Sequence, residues 1–276
     1  MKASAVIRPP AVGGLFYPGD PGVLKREVDA LMHRVERATV KGKVRGIVSP
    51  HAGYLYSGLT AAHGYALLQG ASYSTVVIVS PSHKEFFDGV SVFSGKGYRT
   101  PLGTLTVNEA ARDLLVERCS CAEISERGHN EEHAIEVQLP FLQHILGMFT
   151  ILPIVIGSQR REYCFELGTA LASILGQEDY LLVASTDLSH YHSAGVANRL
   201  DSIVIDDINK FDYDRLMSDL ETGKTEACGG GPTVAVMVAL HKLGVDELRV
   251  IHHSNSGDVT GDFDRVVGYL SAVACA

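Results

Sequence analysis

The chain predicts an α/β fold forming a single domain over residues 1–276, with a mostly parallel central sheet flanked by helices on both faces. Three observations point there. Short β-branched runs alternate with amphipathic helical stretches, the pattern of strand–helix–strand repetition. The runs are near-continuously apolar, as strands covered on both faces are. Two of them end alike, in Ile47-Val48-Ser49-Pro50-His51 and Ile78-Val79-Ser80-Pro81-Ser82-His83, about one strand–helix–strand unit of roughly 30 residues apart.

Taken along the chain, helix-spaced apolar residues mark 21–38, and the first buried strand follows at 44–49. A helix is expected over 57–69 and a strand over 75–80. The glycine- and proline-punctuated stretch 90–106 reads as a hairpin excursion. Helices at 107–117 and 131–145, a strand at 150–157, a helix at 160–175 and a strand at 180–185 continue the alternation. A helix over 193–211 precedes one over 232–243, where Pro232 suits the first turn and Gly244 the C-terminal end. Strand candidates at 249–253 and 266–274 close the chain. No composition break marks a linker.

Charge and cysteine usage narrow the class. Lys and Arg number 24 against 32 Asp and Glu, a net charge of −8. No basic run exceeds two residues, which argues against nucleic acid and anionic membrane as partners. The five cysteines are odd in number and contain no C-x-x-C pair, favouring a reduced, cytoplasmic setting over a disulfide framework. Arg8, Pro9 and Pro10 stand where a signal peptide needs its apolar stretch. No apolar run approaches the ~20 residues that span a bilayer. A soluble cytoplasmic protein is expected.

Proline cannot donate to a central ladder, so each Ser-Pro ends its strand. His51 and His83 then lie just past the carboxyl ends of parallel strands expected to be neighbours, the edge where open α/β sheets bind ligands. A third strand runs out into Ser185-Thr186-Asp187-Leu188-Ser189-His190-Tyr191-His192, bringing a carboxylate and two imidazoles to the same edge. Imidazoles suit zinc, iron, copper and nickel. For a third ligand the candidates are Cys228, Asp187 and Glu132. Cys228 precedes the glycine-rich turn Gly229-Gly230-Gly231 into a helix, and a helix N-terminus favours the metal-binding thiolate.

The cluster Glu131-Glu132-His133-Ala134-Ile135-Glu136 is expected at a helix start, with Glu132 and Glu136 on one face at i, i+4. It is either a solvated first turn or a support in which Glu132 or His133 faces the metal edge. Cys119-Ser120-Cys121 is a weaker metal candidate. His33, His144 and His241 read as surface or boundary residues, His63 as a core hydrogen-bonding group, and His252 and His253 point to opposite faces of a strand. G-x-S-x-G, Walker A, G-x-G-x-x-G after the first strand and H-E-x-x-H are all lacking. Ser185, Asp187 and His190 are too close in sequence to form a hydrolase triad.

Several segments together resemble the Memo family, called AmmeMemoRadiSam system protein B in prokaryotes. They are Arg8-Pro9-Pro10-Ala11-Val12-Gly13-Gly14 with Phe16-Tyr17-Pro18, Ser49-Pro50-His51-Ala52-Gly53-Tyr54, Pro81-Ser82-His83, Glu132-His133-Ala134-Ile135-Glu136 with Leu139-Pro140, Ser185–His190, and Ala227-Cys228-Gly229. The resemblance implies a fold similar to class III extradiol ring-cleaving dioxygenases (LigB-like). It implies that His51, His83 and Cys228 bind a metal, with Asp187 and His190 as the polar pair beside it; Glu132, His133, His192 and Tyr54 are expected around the pocket. Cysteine replaces the dioxygenases' carboxylate, and thiolate favours softer or borderline ions. The resemblance also implies association with AMMECR-like and radical-SAM proteins.

The expected function is that of a metal-dependent oxidoreductase, dioxygenase- or oxidase-like, acting on a small molecule. One iron or copper ion would sit at His51, His83 and Cys228, zinc being the further option. His190 would act as acid and base, histidine being the side chain that exchanges protons near neutral pH, and Asp187 would orient it. The alternatives are a binding or signalling protein that retains the fold, and a zinc hydrolase.

Overall fold

In a computed structural model of the chain, residues 6–36, 39–176 and 179–276 are described. The order begins with β1 (Ile7–Arg8), α1 (Pro21–His33), β2 (Val44–Ser49), α2 (Tyr54–Tyr65), β3 (Thr75–Pro81), β4 (Val90–Phe93), β5 (Gly97–Thr100) and β6 (Gly103–Thr106). Next come α3 (Glu109–Arg118), β7 (Ala122–Ser125), α4 (Leu139–Ile145), β8 (Thr150–Ile156), α5 (Arg161–Leu175), β9 (Tyr180–Ser185) and β10 (His190–His192). The chain closes with α6 (Ala194–Asn209), α7 (Tyr213–Glu221), α8 (Gly230–Lys242), β11 (Arg249–Asn255), α9 (Gly257–Thr260) and β12 (Val266–Cys275).

Among the described residues the main sheet runs β10-β12-β2-β9-β3-β8-β4-β7, with β11 also paired to β12. Its centre, β2-β9-β3-β8, is parallel. Antiparallel β12 and β4 border that centre on either side, so the sheet is mixed around a parallel core. The expected adjacency of β2 and β3 is corrected: β9 inserts between them and pairs with both. Helix α2 carries the chain past one strand position, and β9 fills it much later in the sequence. The stretch 90–106 divides, because β4 joins the main sheet while β5 and β6 form a hairpin with β1.

All seven residues of β3 are buried, and side-chain alternation assigns them to two cores. Val77 and Val79 meet Leu182 and Ala184 of β9 and the apolar faces of α5 and α8. Val76 and Ile78 meet Leu181, Val183 and residues of α1, α2 and α4. Helix α8 is buried from Gly230 through Leu240, as a helix that is apolar all round must be. Its contact with α5 needs Gly168, where a Cβ would stand 2.5 Å from the Ala235 carbonyl oxygen.

Helix α1 starts with Asp20 accepting from the Val23 N–H, with Pro21 in its first turn. It ends at His33 rather than continuing through residue 38; Arg37 and Ala38 lie outside the described residues. The helix expected over 131–145 is α-helical only in α4, after a 3-10 turn at Glu136–Gln138. No described helix is long and apolar enough to cross a membrane.

Candidate metal centre

The carboxyl edge of the parallel strands gathers the site. His51 follows β2, His83 follows β3, and Asp187 follows β9, the strand between them. Cys228 reaches the same point from the turn before α8. That turn lies so close to the end of β9 that a Cβ on Gly229 would fall 2.1 Å from the Ser185 carbonyl oxygen. Gln159 clamps it: Nε2 donates to the Cys228 carbonyl at 2.6 Å, and Oε1 accepts from Gly231 N–H at 2.7 Å. The Cys228 sulfur lies 3.1 Å from His51 Nε2. One ligand atom each of His51, His83 and Cys228 falls within 4.8 Å of the others.

The other nitrogen of each imidazole is engaged by the protein. His83 Nδ1 is 2.9 Å from Glu132 Oε1. His51 Nδ1 is 2.9 Å from Ser185 Oγ. Gln138 Nε2 donates to the Pro50 carbonyl and to Ser185 Oγ, both at 2.9 Å, while its Oε1 accepts from Tyr65 OH at 2.7 Å. With the Ser185 hydroxyl donating to the Ala134 carbonyl at 2.7 Å, all partners are satisfied only when His51 Nδ1 carries the proton. Its Nε2 lone pair then faces the Cys228 sulfur. Burial, and next the neighbouring His83, lower the His51 pKa to about 3, so the ring is neutral and able to coordinate.

Glu132 is a buried carboxylate rather than a solvated one. It accepts from the amides of His83 (2.6 Å), His133 (2.9 Å) and Ala134 (3.0 Å) as well as from the His83 ring. Burial pushes its pKa up, but the hydrogen bond and charge of His83, with His133, outweigh that and bring it to about 2. Binding its own following amides competes with helix formation, which explains the absence of helix at 131–135. The expected shared face of Glu132 and Glu136 is therefore corrected. Glu136 turns to the N-terminal segment, pairing with Arg8 Nη1 at 2.6 Å and accepting from the amides of Ala11 (2.7 Å) and Val12 (3.1 Å).

Asp187 is buried, and burial raises its carboxyl pKa. Its Oδ1 accepts from the His51 amide at 2.8 Å, and its own N–H donates to the Cys228 sulfur at 3.2 Å. Among the described residues no hydrogen bond joins it to His190, so its observed work is on His51 and Cys228. Burial also raises the Cys228 thiol pKa, against the lowering expected from the helix end; the sulfur is enclosed, and α8 begins two residues later.

A cavity of about 700 Å³ opens over these groups, walled by His133, His190, Phe16, Tyr56 and Tyr269, with Lys84 and Arg265 at its border. His133 stacks on His83 at 4.8 Å between ring centres, and burial lowers its pKa to about 4. Tyr191, beside His190, takes φ 62°, a left-handed conformation that costs a non-glycine residue about 1–3 kcal/mol.

Two expected pocket residues lie elsewhere. His192 pairs with Glu226: regular alternation would keep it on the face of His190, but the register slips between the two at left-handed Tyr191 and turns it away. Tyr54 is buried in the core beside Phe141 and donates to the Val137 carbonyl at 2.7 Å; Tyr56, two positions on, takes the cavity wall. The part Ser185 plays at His51, and Gln138 altogether, escaped the sequence reading because a serine ending one strand and a glutamine before a helix carry no local sign of meeting there. The remaining histidines differ in fate. His63 stacks on His252 at 3.9 Å, while His253 faces Asp201.

The donor set fits a metal ion: two neutral-capable imidazoles, a thiol sulfur, and hydrogen bonds that fix the ring positions. Comparisons with known proteins agree with the architecture. The Memo-like protein family model matches residues 8–273. A MEMO1 family protein of Thermoplasma volcanium is 36% identical over 271 residues, covering 98% of this chain and 99% of that one. One from Methanosarcina mazei is 40% identical over 270 residues, covering 97% and 98%. The crystal structure of an uncharacterized Escherichia coli K12 protein superposes with a TM-score of 0.52 at 16% identity, covering 84% of this chain and 99% of that one. That likeness concerns the fold alone. The chain, matched by the family model over nearly its whole length and by relatives at this identity, belongs to the Memo family.

Proposed function

We propose that this protein is a metal-dependent oxidoreductase acting on a small molecule, with one iron or copper ion held by His51, His83 and Cys228. The observation that carries the reading is the 3.1 Å approach of the Cys228 sulfur to His51 Nε2, with His83 in reach, beside a cavity of about 700 Å³. That volume lies in the range of small-molecule sites, roughly 300–1,000 Å³. Thiolate with imidazole selects softer or borderline ions. When bound, such an ion supplies Lewis acidity and a one-electron couple.

The chain's own residues do the remainder. His190, in the cavity wall, holds or delivers a proton at its imidazole. Asp187 keeps the His51 backbone and the sulfur in place. Lys84 and Arg265 attract anionic groups to the entrance, and Phe16, Tyr56 and Tyr269 exclude water. The five free thiols support a reducing, cytoplasmic setting.

The test is metal analysis of protein purified without chelator, with oxygen uptake measured against a panel of small organic substrates. Iron or copper near one equivalent, lost with the uptake in His51→Ala and Cys228→Ala, is the expected result. Zinc alone, with hydrolytic turnover, would replace the redox reading. A partner bound equally well by both variants, without turnover, would point to a binding protein.

A further inference from the structure

Cys119 and Cys121 lie where α3 turns into β7, the strand that ends the main sheet's order at the side away from β10 and β12. The turn is closed by the Ala122 N–H donating to the Cys119 carbonyl at 3.1 Å, which places both side chains on the same side. Their sulfurs are 3.3 Å apart. The Ser120 amide between them donates to Glu166 of α5, and the Cys121 carbonyl accepts from Val90 N–H at 2.8 Å. The backbone of the turn is thus held from both sides. Cys119 is buried and Cys121 is partly exposed.

We propose that Cys119 and Cys121 form a reversible dithiol–disulfide site, oxidised by low-molecular-weight disulfides such as glutathione disulfide. The partly exposed Cys121 thiolate attacks one sulfur of the small disulfide, forming a mixed disulfide and releasing one thiol. The buried Cys119 thiolate then displaces the second small thiol from Cys121. The protein sulfurs lose two electrons and two protons, and the small disulfide gains them as two thiols. Residues two apart can meet the 4.4–6.8 Å Cα separation of disulfides, and the sulfurs need close by only about 1.3 Å to reach bonding distance. The hydrogen bond from Cys121 holds the Cys119 thiol below its ordinary pKa, and passing that shared proton across to Cys119 leaves the attacking thiolate on the more accessible Cys121 sulfur.

A metal fits the turn less well. Two thiolates on a tetrahedral zinc ion stand roughly 3.8 Å apart, and Glu166 is already engaged by Ser120. The site shares no residue with the metal centre, so it stands whatever becomes of the oxidoreductase reading.

The test equilibrates reduced full-length protein with mixtures of glutathione and glutathione disulfide, traps free thiols by alkylation, and weighs the peptide carrying both cysteines. The expected product is an unalkylated peptide lighter by two hydrogens, reversed by excess glutathione and formed equally in a Cys228→Ser background. Cys119→Ser should instead accumulate a glutathione mixed disulfide at Cys121. Both thiols alkylated at every ratio would overturn the proposal, as would a stable mixed disulfide on the unsubstituted protein. Zinc retained by the reduced protein and lost in Cys121→Ser would make the turn a metal site instead.

Discussion

Glu132 grips His83 at two points: Oε1 lies 2.9 Å from the ring Nδ1, and Oε2 accepts from the backbone amide at 2.6 Å. One carboxylate therefore sets both where His83 leaves β3 and how its ring is turned. Glu132→Gln exchanges an acceptor oxygen for an amide that must face an N–H. Metal affinity, measured by chelator competition, should fall about 10–100-fold, the usual effect of losing a group that orients a ligand, with the fold retained. Unchanged affinity would detach Glu132 from the metal centre.

Ser185 plays the corresponding part for His51. In Ser185→Ala, the Ala134 carbonyl and one Gln138 N–H lose a buried partner and the His51 tautomer is no longer fixed. Chemical denaturation should show a loss of about 1–3 kcal/mol, together with weaker metal binding. Gln138→Leu should lower affinity in the same direction, and a double variant should be less than additive because the two residues share one network.

Gly229→Ala tests how Cys228 is delivered. The added methyl would meet the Ser185 carbonyl oxygen at 2.1 Å, so the turn must move away from β9. Overpacking of this kind costs about 1–3 kcal/mol, and the sulfur moves with the backbone. Thiolate-to-metal absorption of the copper-loaded protein should weaken or shift. An unaltered spectrum would mean that the turn accommodates a side chain.

Acid sensitivity should have a source outside the proposed ligand set. His129 is buried, with its Nδ1 2.6 Å from Tyr98 OH and its Nε2 3.2 Å from the Ser91 carbonyl. Burial lowers its pKa from 6.5 to about 3. The unfolded chain takes up that proton first, so stability present above pH 6.5 is lost progressively as the pH falls toward 3. Between pH 7 and pH 5 this one residue accounts for about 2 kcal/mol. His129→Gln should flatten the urea-midpoint profile over that interval by a comparable amount, whatever its effect at pH 7.

Much of the molecule was legible along the chain. Continuous apolar runs in β2, β3, β8 and β9 announced strands covered on both faces, and each Ser-Pro marked where a strand had to stop. Those stops put His51 and His83 at the ligand-binding edge of the sheet. Local pattern could not show that β9 slips between β2 and β3, since strand order follows from which faces pack together. Nor could it show that Glu132 would prefer its own amides and the His83 ring to a helical turn.

Sequence alone determined the α/β class, the strand ends and the set of side chains able to hold a metal. Tertiary structure decided which of them meet. The Cys228 sulfur reaches His51 because a glycine lets a turn from far along the chain lie against β9. Tyr54 goes elsewhere because helix phase aims each side chain by position, not by chemistry, and His192 because the strand loses its alternation at left-handed Tyr191.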